Sequence, residues 1–159
     1  MSNRLRVYAD TSVYGGAFDK EFSSASRVFF DQVRRGYFSL VISAVVRQEL
    51  LTAPASVRGL YRGMLPLTEA VEAGEESVRL AEAYLTAGIL TPQSTDDALH
   101  VAIASVSGCG AIVSWNFRHI VHFQKIPLYN AVNAVHGYRS IEICSPPGVI
   151  VYEDEDQGL

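Results

Sequence analysis

Four short apolar segments, separated by stretches of helical period, constrain the fold of this chain more than any other feature. Residues 5–9, 37–42, 111–114 and 141–144 are rich in Val, Ile, Leu and Tyr, and each stops at or beside an Asp or Ser. Runs of this length suit strands and are too short for buried helices. Residues 37–42 are broken only by Ser39, the pattern of a parallel strand buried on both faces.

The intervening stretches read as helices. Ser23 or Ser24 can cap one that runs to about Arg35, with Phe29, Phe30 and Val33 on its apolar face and Gly36 ending it. Ser43 caps a short helix through Leu51, and Pro54 opens another that ends near Gly63. After an extended piece at Leu65–Leu67, residues 69–86 have a polar, helical period and stop at Gly88. Thr95 caps a helix to Ser107 that Gly108 closes, and residues 128–136 form a last one before Gly137. Strands alternating with helices predict an α/β domain of three layers, with helices on both faces of a central, mostly parallel sheet. No repeat or linker divides the chain. Residues 1–148 therefore read as one domain and 149–159 as an acidic tail, with Glu153-Asp154-Glu155-Asp156 a solvated end.

A chain of 159 residues, 48% hydrophobic and 19% charged, can bury a sizeable core. Cys109 and Cys144 lie far apart in apolar surroundings and fit reduced thiols, not a disulfide or zinc framework. No apolar run reaches the length of a membrane span and the first residues carry no signal-peptide pattern. A cytoplasmic location without a membrane partner is expected. The formal net charge of −4 and pI of about 5.5 exclude a protein that grips nucleic acid chiefly by charge. They do not exclude an enzyme that gathers acids around a metal.

A few acids carry the chemistry. Asp10 ends the first strand, at the carboxyl edge where parallel sheets bind ligands, and it can equally cap the next turn through the amides near Ser12 and Val13. Glu49 shares a helical stripe with Ile42, Val45 and Val46, so the sheet-facing side carries a carboxylate. If buried, that carboxylate requires a partner; at the helix edge it reaches water instead. Asp96 and Asp97 occupy the first turn after Thr95, where either favours the helix terminus by about 0.3–1 kcal/mol. Asp96 has His100 one turn ahead as a partner, whereas Asp97 lies above Val101 and Ala104 and is taken as the buried acid. Asn116 is a turn former or a site residue, and Ser12 and Ser114 are local caps or orienters of a carboxylate.

Were Asp10, Glu49 and Asp97 to meet within about 4 Å, each pair would repel by roughly 4 kcal/mol at an effective dielectric near 20. A hard divalent cation, Mg²⁺ or Mn²⁺, removes that repulsion. His119 and His122, at i and i+3, do not make a zinc-type cluster. Phosphate loops, dinucleotide glycine motifs and nucleophile elbows are absent from the sequence.

In their order along the chain these segments resemble the PIN-domain family, metal-dependent ribonucleases that include toxins of VapBC-type toxin–antitoxin pairs. The resemblance is carried by Tyr8-Ala9-Asp10-Thr11-Ser12-Val13-Tyr14, by Ser43 onward to Glu49 and Leu50, by Asp97-Ala98-Leu99-His100-Val101 and by Ser114-Trp115-Asn116-Phe117-Arg118-His119. Residues 136–138 and 141–146 close the match. It implies a PIN-like three-layer fold and a catalytic set of Asp10, Glu49, Asp97 and Asn116, with Asp10, Asp97 and Glu49 about Mg²⁺ or Mn²⁺. The family's last motif often supplies a fourth acid; here it offers Asn116, with His119 where some members carry Asp. Further implications are RNA phosphodiester hydrolysis, guidance of the RNA by Arg118, Lys125, Arg47 or Arg58, an antitoxin protein partner and a homodimer. The alternative, suggested by the acidic pI and the missing fourth acid, is a PIN-like module that binds RNA or protein without turnover.

Overall fold

Five parallel strands form the sheet among the described residues, 4–153, of the computed structural model. They are β1 (Leu5–Ala9), β2 (Phe38–Ser43), β3 (Thr68–Val71), β4 (Ala111–Val113) and β5 (Glu142–Cys144), hydrogen-bonded in the order β3-β2-β1-β4-β5. Tyr8 registers with Val41 on one side and Ile112 on the other, and Ile112 with Ile143. The central strands are apolar on both faces because both are covered: Val7, Tyr8, Ala9, Leu40, Val41, Ile42, Ala111, Ile112 and Val113 are all buried.

The helices are α1 (Thr11–Gly16), α2 (Ser23–Arg34), α3 (Ala44–Leu50), α4 (Ala55–Met64), α5 (Glu75–Thr86), α6 (Thr95–Val106), α7 (Ile126–Val135) and α8 (Pro146–Val149). From β1 the chain steps outward to β2 and β3, then returns past them to β4 and on to β5. With the right-handed crossovers that parallel strands follow, this order assigns α1–α4 to one face and α5–α7 to the other. The packing agrees: α1 meets α2 and α4, while α5 meets α6 and α7. The three expected layers are present, with the direction of winding reversing between β1 and β4. Gly36, Gly88, Gly108 and Gly137, each expected to stop a helix, all have positive φ, the left-handed conformation that ends a helix at little steric cost.

Several local expectations change. Leu65–Leu67 is a 3₁₀ turn, and the strand is the following Thr68–Val71. The helix expected from residue 69 starts only at Glu75, after Gly74. β3 is an edge strand with exposed Glu69 and Ala70, so it lacks the apolar run that marks a covered strand. Arg6 on β1 reaches across β2 and donates to both Glu69 oxygens, at 2.9 and 2.8 Å, which favours the strand. Thr95 does not cap α6. It is the first helical residue, and its hydroxyl donates to the Pro92 carbonyl at 2.6 Å. Helix α1, directly after Asp10, and the single turn α8 add to the expected set.

Beyond α8, the Gln32 amide on α2 exchanges hydrogen bonds with the Val151 backbone at 2.6 and 2.8 Å, and Arg35 pairs with Glu153 at 3.1 Å. The rest of the acidic tail, 154–159, lies outside the described residues. Both cysteines are free, and burial pushes each thiol up to about 11. Among the described residues no helix is long and apolar enough to cross a membrane.

Candidate active site

Asp10 follows β1 and Ser114 follows β4, so the two stand side by side at the carboxyl edge where the winding reverses. In open α/β sheets the helices diverge at this point and leave a crevice. The chain turns at once from β1 into α1, and Asp10 caps that helix. Its Oδ1 accepts from the Ser12 amide at 3.1 Å and the Ser12 hydroxyl at 2.6 Å. Its Oδ2 accepts from the Ser114 hydroxyl at 2.6 Å. The serines are held in turn, because Ser12 Oγ accepts from the Trp115 amide at 2.8 Å and Ser114 Oγ from the Asn116 amide at 2.9 Å. The cap is thus formed through Ser12, and Asp10 is only 4% exposed.

Glu49, half-buried near the end of α3, has the partner that burial demands. Its Oε1 accepts from the Thr11 hydroxyl and from His100 Nε2, the latter at 2.8 Å. His100 was expected to pair with Asp96. Instead Asp96 is exposed and His100 is 2% exposed. The reason is enclosure: α6 is buried almost all round from His100 to Ser105, so His100 turns to Glu49 and Tyr8 while Asp96 stays in the exposed first turn. Thr11 and His100 are the residues that local reasoning missed. The spacing of Asp97 and His100 was the available signal.

Asp97 is half-buried, and the nearby Asn116 side chain favours its charged form. The Asn116 carboxamide oxygen takes the turn-forming role, accepting from the Arg118 amide at 3.2 Å and the His119 amide at 2.9 Å. What it presents to Asp97 is therefore its NH₂ group, a donor. Arg118, Arg47 and Arg58 are exposed. Arg118, His119 and Lys125 line a cleft of about 550 Å³ with Gln93 and Ser94, where Lys125 Nζ donates to the Ile89 carbonyl at 2.6 Å.

The acids respond to burial differently. Burial raises the Asp10 carboxyl, and the His100 charge and the Ser114 and Ser12 bonds only partly offset it. Asp97 is raised for the same reason, against the opposing pull of His119, His100 and Asn116 and with a small push from Glu49. Glu49 goes the other way: burial would raise it, but the bond and charge of His100, with Thr11, hold it below the usual range. His100 is raised despite burial, by the Glu49 bond and by the charges of Asp10, Glu49 and Asp97. One buried imidazole therefore feels all three acids. Among the described residues no Lys or Arg forms a salt bridge with any of them.

The oxygens left open decide what cation this donor set fits. Each carboxylate oxygen offers two lone pairs. Asp10 Oδ1 and Glu49 Oε1 each already accept two bonds, Asp10 Oδ2 accepts one, and among the described residues none reaches Glu49 Oε2. No three His, Cys, Asp or Glu side chains among the described residues form a group that could hold a metal ion. A closed protein cage is thereby excluded. An open hard-oxygen site remains compatible, since Mg²⁺ typically takes one or two carboxylates and fills its shell with water and substrate phosphate.

No family model matches the chain, and no curated protein matches it. Solved structures do. VapBC2 from Rickettsia felis bound to a DNA fragment from their promoter aligns over 77% of this chain and 94% of that chain, with 16% identity and a TM-score of 0.56. VapC20 of Mycobacterium tuberculosis, a Sarcin-Ricin loop cleaving toxin, aligns over 85% of this chain and 98% of that chain, with 11% identity and a TM-score of 0.54. At these identities the likeness is one of fold: the chain has the VapC-like PIN fold that its ordered motifs imply.

Proposed function

We propose that the chain is an endoribonuclease that hydrolyses RNA phosphodiesters in the crevice of Asp10, Glu49 and Asp97, with Mg²⁺ or Mn²⁺ as cofactor. One observation carries this reading. Glu49 accepts from Thr11, the neighbour of Asp10, and from the buried His100, one turn after Asp97, so acids of three separate elements gather at the switch point of the sheet with no Lys or Arg among the described residues paired to them. The fold shared with a toxin that cleaves the Sarcin-Ricin loop supports it.

Asp10 would hold the cation through Oδ2 and Asp97 through its carboxylate, with Glu49 Oε2 assisting through water. The bound cation supplies Lewis acidity at the scissile phosphate. Ser12 and Ser114 fix the Asp10 rotamer, the Asn116 amide orients Asp97, and Thr11 clamps Glu49. Arg118 and Lys125, in the cleft they share with His119, would bind RNA phosphates, and the exposed Arg47 and Arg58 could extend that track. Within the same proposal the chain works in the cytoplasm as a homodimer and is restrained by a small antitoxin protein.

The test is RNA cleavage by the purified chain with Mn²⁺. Wild type cuts, and Asp10→Asn does not. An inert wild type, or an Asp10→Asn variant as active as wild type, rejects the proposal. A second reading, a module that binds RNA or protein without turnover, is favoured by one feature: Asn116 stands where a fourth acid is expected, and its oxygen faces backbone amides. A ligand at 100 times its Kd stabilises the native state by about 2.7 kcal/mol. No rise in melting temperature with Mn²⁺ would favour this second reading.

A further inference from the structure

Behind the acids lies a hydrogen-bonded ring to which the proposed chemistry assigns no role. Tyr8, Ser43 and His100 are all buried. Tyr8 Oη lies 2.7 Å from Ser43 Oγ and 2.7 Å from His100 Nδ1. His100 Nε2 lies 2.8 Å from Glu49 Oε1, and Ser43 Oγ accepts from the Val46 amide at 3.3 Å as the cap of α3. The path thus leaves α3 at its cap, passes through β1 and α6, and returns to α3 at Glu49. Of the elements it joins, β1 leads into Asp10, α3 carries Glu49 and α6 carries Asp97. Tyr8 precedes Asp10 by two positions, which puts both on one face of an extended chain. His100 follows Asp97 by three, which puts both on one face of α6.

The proton directions follow from the donor inventory. An ionised carboxylate only accepts, so Nε2 carries the proton shared with Glu49. With Nδ1 as acceptor, Tyr8 donates to it, Ser43 donates to Tyr8, and Val46 donates to Ser43. Every donor in this buried chain then has an acceptor, which spares the cost of an unmet polar group. Glu49 Oε1 is clamped by His100 and Thr11, leaving Oε2 as its free oxygen.

We propose that Tyr8 and His100 are positioning residues that hold β1, α3 and α6, the three acid-bearing elements, in register and orient Glu49. The kinetic consequence rests on the nuclease reading; the geometry does not. NMR of the ¹⁵N-labelled imidazole rings of the wild-type chain tests the geometry without RNA. A proton on His100 Nε2, whether or not Nδ1 also carries one, is the expected result. A bare Nε2, or the tautomer mixture of free histidine, overturns the proposal.

In RNA cleavage with Mn²⁺, His100→Leu is expected to lower kcat by about 100-fold and Tyr8→Phe by about 10-fold with the KM for RNA unchanged, the scale of losing an outer partner of a metal-site carboxylate. His100→Gln, whose amide can still donate to Glu49, recovers about 10-fold of the loss. Equal kcat in the Gln and Leu variants, or wild-type kcat in Tyr8→Phe and His100→Leu whatever their melting temperatures, overturns the positioning role. A wild type that cuts no RNA rejects the nuclease reading, and the NMR result then decides the ring by itself.

Discussion

Replacing Gly16 by Ala should unsettle the acid pocket without touching an acid. A Cβ at Gly16 falls 2.5 Å from Trp115 Nε1, 2.7 Å from its Cδ1 and 2.8 Å from Ser26 Oγ, all far inside van der Waals contact. Trp115 has little room to yield. It stacks on Phe22 with centroids 4.2 Å apart, meets Phe117 edge-on at 6.1 Å, and donates from Nε1 to Ser26 Oγ at 2.8 Å. Overpacking of this kind costs about 1–3 kcal/mol, and loss of the Trp115–Ser26 bond adds about 1 kcal/mol. Gly16 is the last residue of α1, where Ala recovers at most the roughly 1 kcal/mol of a helix interior, so the net destabilisation is about 1–4 kcal/mol. For a chain of this size that lowers the melting temperature by roughly 3–12 °C.

Gly15 supplies the internal control. No atom lies within 4 Å of a Cβ there and its φ is not positive, so Gly15→Ala should hold stability or raise it by up to about 1 kcal/mol. Thermal and urea melts of the two variants make the comparison. The Trp115 amide holds Ser12 Oγ, and Ser12 Oγ holds Asp10, so Gly16→Ala should also slow cleavage. Equal effects at the two glycines, or a Gly16→Ala variant as stable as wild type, would refute the packing argument.

Three further outcomes are expected. The raised Asp97 carboxyl means that the folded state holds this proton more tightly than the unfolded chain, so its charge weakens the fold as pH rises past the unperturbed value of 3.8. Asp97→Asn should therefore raise the metal-free melting temperature at neutral pH, lose that gain at low pH and abolish cleavage; a lower melting temperature at neutral pH contradicts this. The Glu49–His100 pair has the opposite sign: Glu49 stabilises above its unperturbed 4.5 and His100 below its unperturbed 6.5. The melting deficit of Glu49→Gln should thus be greatest between those values and shrink on either side, whereas a deficit independent of pH excludes the ion pair. Asn116→Asp replaces an amide that favours ionised Asp97 with a like charge. It should cost about 1 kcal/mol without metal and enlarge the rise in melting temperature with Mn²⁺; an unchanged Mn²⁺ response counts against a cation site here.

Much of this architecture was legible because its signals are local. Residues 37–42 read as a doubly buried strand from their composition alone, and β2 spans Phe38–Ser43. Ser43 was readable as a cap, and its hydroxyl accepts from Val46. The failures fall where a neighbour outside the local window decides. Thr68–Val71 has the polarity of a helix face and becomes a strand because β2 offers it a ladder and Arg6 reaches Glu69. His100 read as a partner for Asp96, one turn away, but its partners lie 51 and 92 positions distant, at Glu49 and Tyr8.

By itself the sequence determined the alternation of strands and helices and the covered parallel sheet, and it named the candidate acids. Periodicity, caps and glycine stops act within one turn or one strand, so no tertiary knowledge is needed to read them. Only the tertiary structure decided how those acids are answered: Asp10 by two serines from different strand ends, Asp97 by the Asn116 amide, Glu49 by a buried histidine. Such pairings depend on how crossovers bring distant segments to one sheet edge, and that is a property of the packed chain as a whole.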